Sequence, residues 1–271
     1  MLFSLITVTL NNLGGLKATF ESISSQNSCD YEWIVIDGAS EDGTQQFLES
    51  AGAEWSSAPD DGIYDAMNKG MDRAKGEYLL FLNAGDTLAS PDTLERISKA
   101  IDRENFSPAF IYGDATEDGY IKTARSHKNL AKGMFTHHQA MLYKRKCIGT
   151  LRYNTNYKIS ADYDFTCRFI LNKSQVLYLP FNICIFETGG ISQKQAENGR
   201  IEQAEIRKNL DLCGPAASYI IEFRQKAALW LRKKFPDFYW RLKSFSAGRW
   251  KFYELQALEL RIFNGQKKER L

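Results

Sequence analysis

The chain has 271 residues, 44% of them hydrophobic, with 35 Lys+Arg against 33 Asp+Glu and a formal net charge of +2. This is the composition of a soluble globular protein able to bury one good core and carry an appendage, and no run of eighteen apolar residues is present to span a membrane. The cysteines, Cys29, Cys147, Cys167, Cys184 and Cys213, lack C-x-x-C spacing, which argues against a zinc site or a disulfide scaffold and makes a reducing cytoplasm the expected compartment.

Met1 to Leu10 is apolar, has no basic leader and runs straight into Asn11-Asn12, so it reads as a first strand and not a signal peptide. Leu16, Phe20 and Ile23 follow at helical spacing. A second strand, Tyr31 to Asp37, enters the turn Gly38 to Thr44, and a helix continues to Ser50. Glu54 to Ser57 is a short third strand. Repeated strand–helix units predict a parallel, Rossmann-like sheet. Asp37, at the tip of the second strand, is placed to accept hydrogen bonds from a nucleoside. No G-x-G-x-x-G follows the first strand, which counts against NAD or FAD, and no Walker-type G-K-[ST] loop is present. Phosphates bound here would need a metal to neutralise them.

The stretch Pro59 to Asp86 gathers the strongest signals. Asp60-Asp61-Gly62 is turn chemistry, Ile63 to Arg73 reads as a helix, and Gly76 ends it. Tyr78 to Leu82 is a short apolar run of the kind buried on both faces of a parallel sheet. Asn83-Ala84-Gly85-Asp86 then lies at a strand's carboxyl end, where ligands of open α/β sheets collect. Two readings of Asp86 follow: a ligand for a metal-bound phosphate, or a brace for the turn and cap for the next helix.

A helix from Pro91 to Asp102 precedes two strands, Ala109 to Asp114 and Tyr120 to Arg125, joined by the hairpin signal Ala115 to Gly119, so the sheet becomes mixed. His137-His138-Gln139 contains the chain's only histidine pair, which serves either loop hydrogen bonding or a metal. Ser160-Ala161-Asp162-Tyr163-Asp164 opens a helix reaching Leu171, and Asp162 and Asp164 cannot both be its cap. Gln175 to Leu179 and Ile183 to Thr188 read as two closing strands. Gly189-Gly190-Ile191-Ser192 reads as a flexible loop before a helix from Glu197 to Leu212.

From Pro215 the pattern turns helical, giving expected units of 1–214 and 215–271. Residues 215–271 carry 13 Lys+Arg and 5 Asp+Glu, a charge of +8, which leaves −6 for the remainder. Ile220, Phe223, Ala227 and Trp230 mark one apolar stripe, and Trp250, Tyr253, Ala257 and Leu260 another. Basic helices bearing Trp230, Trp240 and Trp250 suit an anionic membrane surface, with packing on the core or on a second subunit of a homo-oligomer as the alternative. No nucleic-acid-binding motif accompanies the charge.

Taken together, these segments resemble the family-two inverting glycosyltransferases of GT-A fold, in the bacterial branch that decorates exopolysaccharide and lipopolysaccharide. The similarity covers Phe3 to Ser192. It is carried by S-L-I-T-V-T-L-N-N, W-I-V-I-D-G-A-S-E-D-G-T (33–44), D-D-G-I-Y-D-A-M-N-K-G (60–70), F-L-N-A-G-D (81–86), H-Q (138–139) and A-D-Y-D-F (161–165). The fold it implies is a Rossmann-like mixed sheet with flanking helices plus a C-terminal helical extension. The activity it implies is sugar transfer from a nucleotide-diphosphate donor, UDP being the expected nucleotide, to a glycan or lipid-linked acceptor at the inner face of the cytoplasmic membrane.

The resemblance also implies roles. Thr7, Asn11, Asp37 and Asp61 line the nucleoside pocket and Lys69 faces the nucleotide or its phosphates. Asn83 and Asp86 occupy the place of the family's Asp-x-Asp, with Asp86 on Mn²⁺ or Mg²⁺ and the first acid replaced. Asp162 matches the catalytic base, with Asp164 structural. His138 and Gln139 border the acceptor or pyrophosphate pocket, and Gly189, Gly190 and Ser192 form a closing loop. Two competing readings are a nucleotidyltransferase, though Asn11 to Gly15 lacks the cations such a loop carries, and a non-catalytic sugar-nucleotide or membrane scaffold.

Overall fold

The computed structural model describes residues 1–28, 30–171 and 175–239. Cys29, Trp240 and the second apolar stripe (Trp250, Tyr253, Ala257, Leu260) lie outside the described residues. The chain divides into a compact unit, Met1–Phe223, and a second that begins at Arg224.

The chain opens with β1 (Phe3–Thr9), α1 (Leu13–Ser24), β2 (Tyr31–Asp37), α2 (Thr44–Ser50), β3 (Glu54–Ser57), α3 (Ile63–Arg73) and β4 (Tyr78–Phe81). Next come β5 (Thr87–Leu88), α4 (Thr93–Asp102), β6 (Phe110–Glu117), β7 (Tyr120–Lys122), β8 (Met141–Lys144), α5 (Arg145–Ile148) and α6 (Ala161–Ile170). The last elements are β9 (Val176–Phe186), α7 (Ile191–Lys194), α8 (Ala196–Asn209) and α9 (Pro215–Lys234). The described strands form one mixed sheet in the order β3-β2-β1-β4-β8-β6-β9-β5, with β7 on β6. β3, β2, β1 and β4 are mutually parallel, and β8 runs antiparallel to both β4 and β6.

Every residue of β1 and β4 is buried, because helices cover both faces, and alternation sends neighbours to opposite cores. Ile6 packs with Ile36, Met67, Phe81 and Phe165 on the face of α3 and α6. Leu5 packs with Leu16, Val35, Leu80 and Ile97 on the face of α1 and α4.

Two local expectations are corrected. The closing strands are one bulged strand, β9, which pairs with β6 across register shifts at Gly113/Asp114 and Asp114/Ala115. Pro180 has no N–H to give, and the bulge absorbs that gap without ending the strand. The Gly189–Ser192 segment is not all loop: Gly190 carbonyl accepts from the Gln193 and Lys194 N–H groups, each at 3.2 Å, starting α7 at Ile191. One pairing had no sequence signal. Two-residue β5 runs antiparallel to the far end of β9, with Thr87 opposite Ile185, and so carries the end of β9 to the Asn83–Asp86 turn.

Candidate active site

Side chains cross-link the loops at the carboxyl ends of β1, β2 and β4. Asn12 caps α1, accepting from Gly15 N–H at 3.0 Å, and its Nδ2 donates to the Ala84 carbonyl at 3.1 Å. Asn11 takes a left-handed φ of 49°, its N–H donates to Ser40 Oγ at 2.7 Å and its Oδ1 accepts from Glu41 N–H at 2.9 Å. The Thr19 hydroxyl donates to the Asp86 carbonyl at 2.8 Å and accepts from Gly85 N–H at 3.0 Å. A rim is thus fixed before any ligand arrives.

Two residues expected in the nucleoside pocket are committed elsewhere. Thr7 is fully buried and its hydroxyl accepts from Trp33 Nε1 at 2.9 Å inside the sheet's core, so it lines no cleft. Thr9, at the strand's tip, has a buried hydroxyl without a partner. Asp37 is likewise fully buried. Its carboxylate is filled by the Ser40 N–H and hydroxyl and by Ser57 Oγ at 2.6 Å, so it braces the turn and has no oxygen facing the cleft. Beside it stands Asp60: a β-carbon on Gly38 would lie 2.9 Å from Asp60 Oδ2, so the missing side chain makes room for that carboxylate. Asp61 is exposed at the same loop. Lys69 pairs with Asp65 at 2.8 Å and reaches the Pro59 carbonyl at 3.4 Å. Its ammonium is raised by the Asp65 hydrogen bond, with Asp60 and Asp61 adding attraction.

Asp86 is 2% exposed and caps no helix, since Asp92 holds the cap position of α4. Its Oδ1 accepts from Glu187 N–H at 2.9 Å and its Oδ2 from Gln139 Nε2 at 2.8 Å. Burial is the main cause that lifts its pKa to about 7. Asn83 Oδ1 is buried without a partner. Among the described residues no group of three or more His, Cys, Asp or Glu is arranged to hold a metal.

The histidine pair divides. His137 Nε2 meets Glu117 at 3.1 Å and its ring stacks on Phe186. His138 is buried, stacks on Phe81 and hydrogen-bonds Tyr153 Oη at 2.7 Å. Burial lowers its pKa to about 3, so the ring is neutral. From Tyr153 the contacts continue: its ring stacks on Tyr64, whose hydroxyl donates to the Ile159 carbonyl at 2.6 Å and lies 3.4 Å from Asp162 Oδ1. Asp86 and Asp162 therefore stand at the two ends of one contact chain through Gln139, His138, Tyr153 and Tyr64.

Asp162 sits in the first turn of α6 and keeps part of its surface exposed. Its Oδ1 accepts from Tyr163 N–H at 2.8 Å, and desolvation outweighs that help, raising its pKa to about 6. Asp164 is buried and bound to the Arg168 guanidinium, with Arg168 Nε at 2.8 Å and the Arg152 carbonyl accepting from the same group. The two acids stand in different surroundings, one on the Tyr163 N–H and the other on Arg168. Glu202 on α8 carried no sequence signal: its carboxylate accepts the N–H groups of Lys158, Ile159 and Ser160 at 2.8, 2.9 and 2.7 Å and so fixes the backbone that delivers Asp162.

Residues 4–174 match the model of Glycosyl transferase family 2. The chain belongs to that family. This family-2 glycosyltransferase is 35% identical over 203 residues to a PGL/p-HBAD biosynthesis glycosyltransferase of Mycobacterium bovis, a match covering 70% of this chain and 79% of the other. It is 32% identical over 200 residues to an uncharacterized glycosyltransferase of Mycobacterium tuberculosis, covering 69% and 76%. Among solved structures it resembles S. aureus TarS 1–349 in complex with UDP-GlcNAc (TM-score 0.66, 17% identity, 82% of this chain and 70% of that one). It also resembles the mannosyltransferase PcManGT from Pyrobaculum calidifontis in complex with GDP-Man and Mn²⁺ (TM-score 0.60, 17% identity, 96% and 78%). At these identities the two structures speak to the GT-A fold alone.

Proposed function

We propose that this family-2 glycosyltransferase moves a sugar from a nucleoside diphosphate donor, with UDP the first nucleotide to test, to a hydroxyl of a glycan or lipid-linked acceptor, inverting the anomeric carbon. The observation that carries this reading is Asp162, a residue that keeps part of its surface exposed while its carboxyl is held at a pKa near 6, at the far end of the contact chain from Asp86. In an inverting displacement the acceptor O–H gives its proton to Asp162 as its oxygen bonds to the anomeric carbon and the bond to the diphosphate breaks. Glu202, Tyr64 and Tyr153 position that carboxyl, and neutral His138 keeps the wall between the two acids free of added charge.

The rim formed by Thr9, Asn11, Asp60 and Asp61 is the nucleoside side of the cleft, with Lys69 behind it and the Gly190–Ser192 segment bordering the acceptor side. Asp86 and Asn83 offer hard oxygen donors, a set that fits Mn²⁺ or Mg²⁺ with diphosphate and water oxygens completing the shell. When bound, such a cation neutralises charge on the departing diphosphate. The test is product formation from radiolabelled nucleotide sugars. Asp162→Asn should lose ~10²–10⁴ in rate while still binding nucleotide. Activity should vanish in EDTA and return with Mn²⁺ or Mg²⁺, and full activity in chelator would rule out the cation.

The same protein is proposed to work as a peripheral protein on an anionic membrane, on its cytoplasmic side. Among the described residues no helix is long and apolar enough to cross one. Support comes from α9, which exposes Tyr219, Ile220, Phe223 and Trp230, and from the +8 charge of residues 215–271. Each Lys or Arg near an anionic surface contributes ~1 kcal/mol. The full chain should co-sediment with anionic vesicles at low salt and release at high salt; a chain ending at Gly214 should not sediment.

A further inference from the structure

The family's first acid is replaced here by Asn83, yet a second carboxylate is present in space. Gly85, at φ 104°, forms the tip of the Asn83–Asp86 turn. A β-carbon on it would fall 1.8 Å from Glu187 Oε2 and 2.3 Å from Glu187 Cδ. The Glu187 carboxyl therefore lies directly on the turn, in space that only glycine leaves open. The same residue's N–H donates to Asp86 Oδ1 at 2.9 Å, so one residue both orients the Asp86 carboxylate and lays its own on the same turn, against Gly85. The short β5–β9 pairing holds this arrangement.

Asp86 and Glu187 bring two carboxylates to one turn. Among the described residues neither carboxylate has an ion-pair partner, and Asn83 Oδ1 is buried without a hydrogen-bond donor. Two carboxylates and an orphaned amide oxygen around one turn make an all-oxygen set that a hard divalent cation satisfies. We propose that Glu187 supplies the second protein carboxylate of the cation site, from the end of β9, in place of the acid absent at Asn83. This rests on the cation reading above. It makes the site discontinuous in sequence and links cation binding to the segment that leads into Gly189 and Gly190.

The test is Mn²⁺ affinity, read from the electron paramagnetic resonance signal of free Mn²⁺ during titration of the full chain with UDP present. Wild type, Glu187→Gln and Asp86→Asn are compared, with melting temperature as a folding control. Glu187 is exposed, so Glu187→Gln should melt with wild type while its Mn²⁺ affinity falls at least ~10-fold, as loss of a metal-supporting group commonly does. Asp86→Asn should fall further. If Glu187→Gln binds Mn²⁺ as tightly as wild type while Asp86→Asn does not, Glu187 is no ligand and the cation reading stands without it. If wild type itself binds no Mn²⁺ with UDP, the cation reading fails and this inference fails with it.

Discussion

Removing the proposed base, Asp162, should make the protein more stable at neutral pH. Asp162 has its pKa raised from 3.8 to about 6, chiefly by burial, so its ionised form is disfavoured in the folded state. A rise of that size corresponds to ~3 kcal/mol. Asp162 is enclosed at its carboxyl yet keeps part of its surface in solvent, and that exposure reduces the figure to ~1–2 kcal/mol. The sign follows from linkage. The folded state holds the proton more tightly than the unfolded chain, so stability from this group is present below pH 3.8 and is lost as pH rises through 6. Asp162→Asn has no such loss. Urea denaturation of wild type and Asp162→Asn at several pH values is the assay. The variant should be more stable at pH 7.5, with the difference shrinking below pH 6 and vanishing near 3.8. A variant less stable than wild type at pH 7.5, or a gap independent of pH, would refute the placement of a strained buried carboxylate. The same pKa predicts that kcat/KM falls about tenfold per pH unit below 6.

Glu202→Gln should weaken three charge-assisted hydrogen bonds to the backbone before α6, costing ~1–3 kcal/mol in denaturation and lowering kcat more than it raises KM. Asp164→Asn should lose stability of similar size through the Arg168 pair while turnover per folded molecule stays near wild type; loss of turnover there would move the base to Asp164. Tyr153→Phe leaves buried His138 without its 2.7 Å partner, at ~1–3 kcal/mol in thermal or chemical melts. Asp60→Asn should raise the calorimetric Kd for UDP with little change in melting, whereas Asp37→Asn, which disturbs the Ser40 and Ser57 bonds, should lower the melting temperature.

The parallel half of the sheet was legible because its signals are local: unbroken apolar runs such as Tyr78 to Leu82, helical spacing in Ile63 to Arg73, and turn residues between them. The Asp162 helix start and the hairpin after Glu117 were legible for the same reason. Side-chain commitment was not. Nothing near Thr7 or Asp37 in the chain says that Trp33, 26 residues away, and Ser57, 20 residues away, use up their oxygens, because those partners meet only when neighbouring strands align. Glu202 lies 42 residues from Ser160, in a polar helix whose pattern marks solvent exposure and no partner. Glu187 reaches Asp86 across 101 residues, through a two-residue strand too short to leave any periodicity. The sequence by itself determined the parallel strands and the helices between them, since these follow from residues a few positions apart. The tertiary structure alone decided which carboxylates are committed to neighbours and which stand around one turn without an ion-pair partner, because hydrogen bonds and like-charge proximity depend on distance in space.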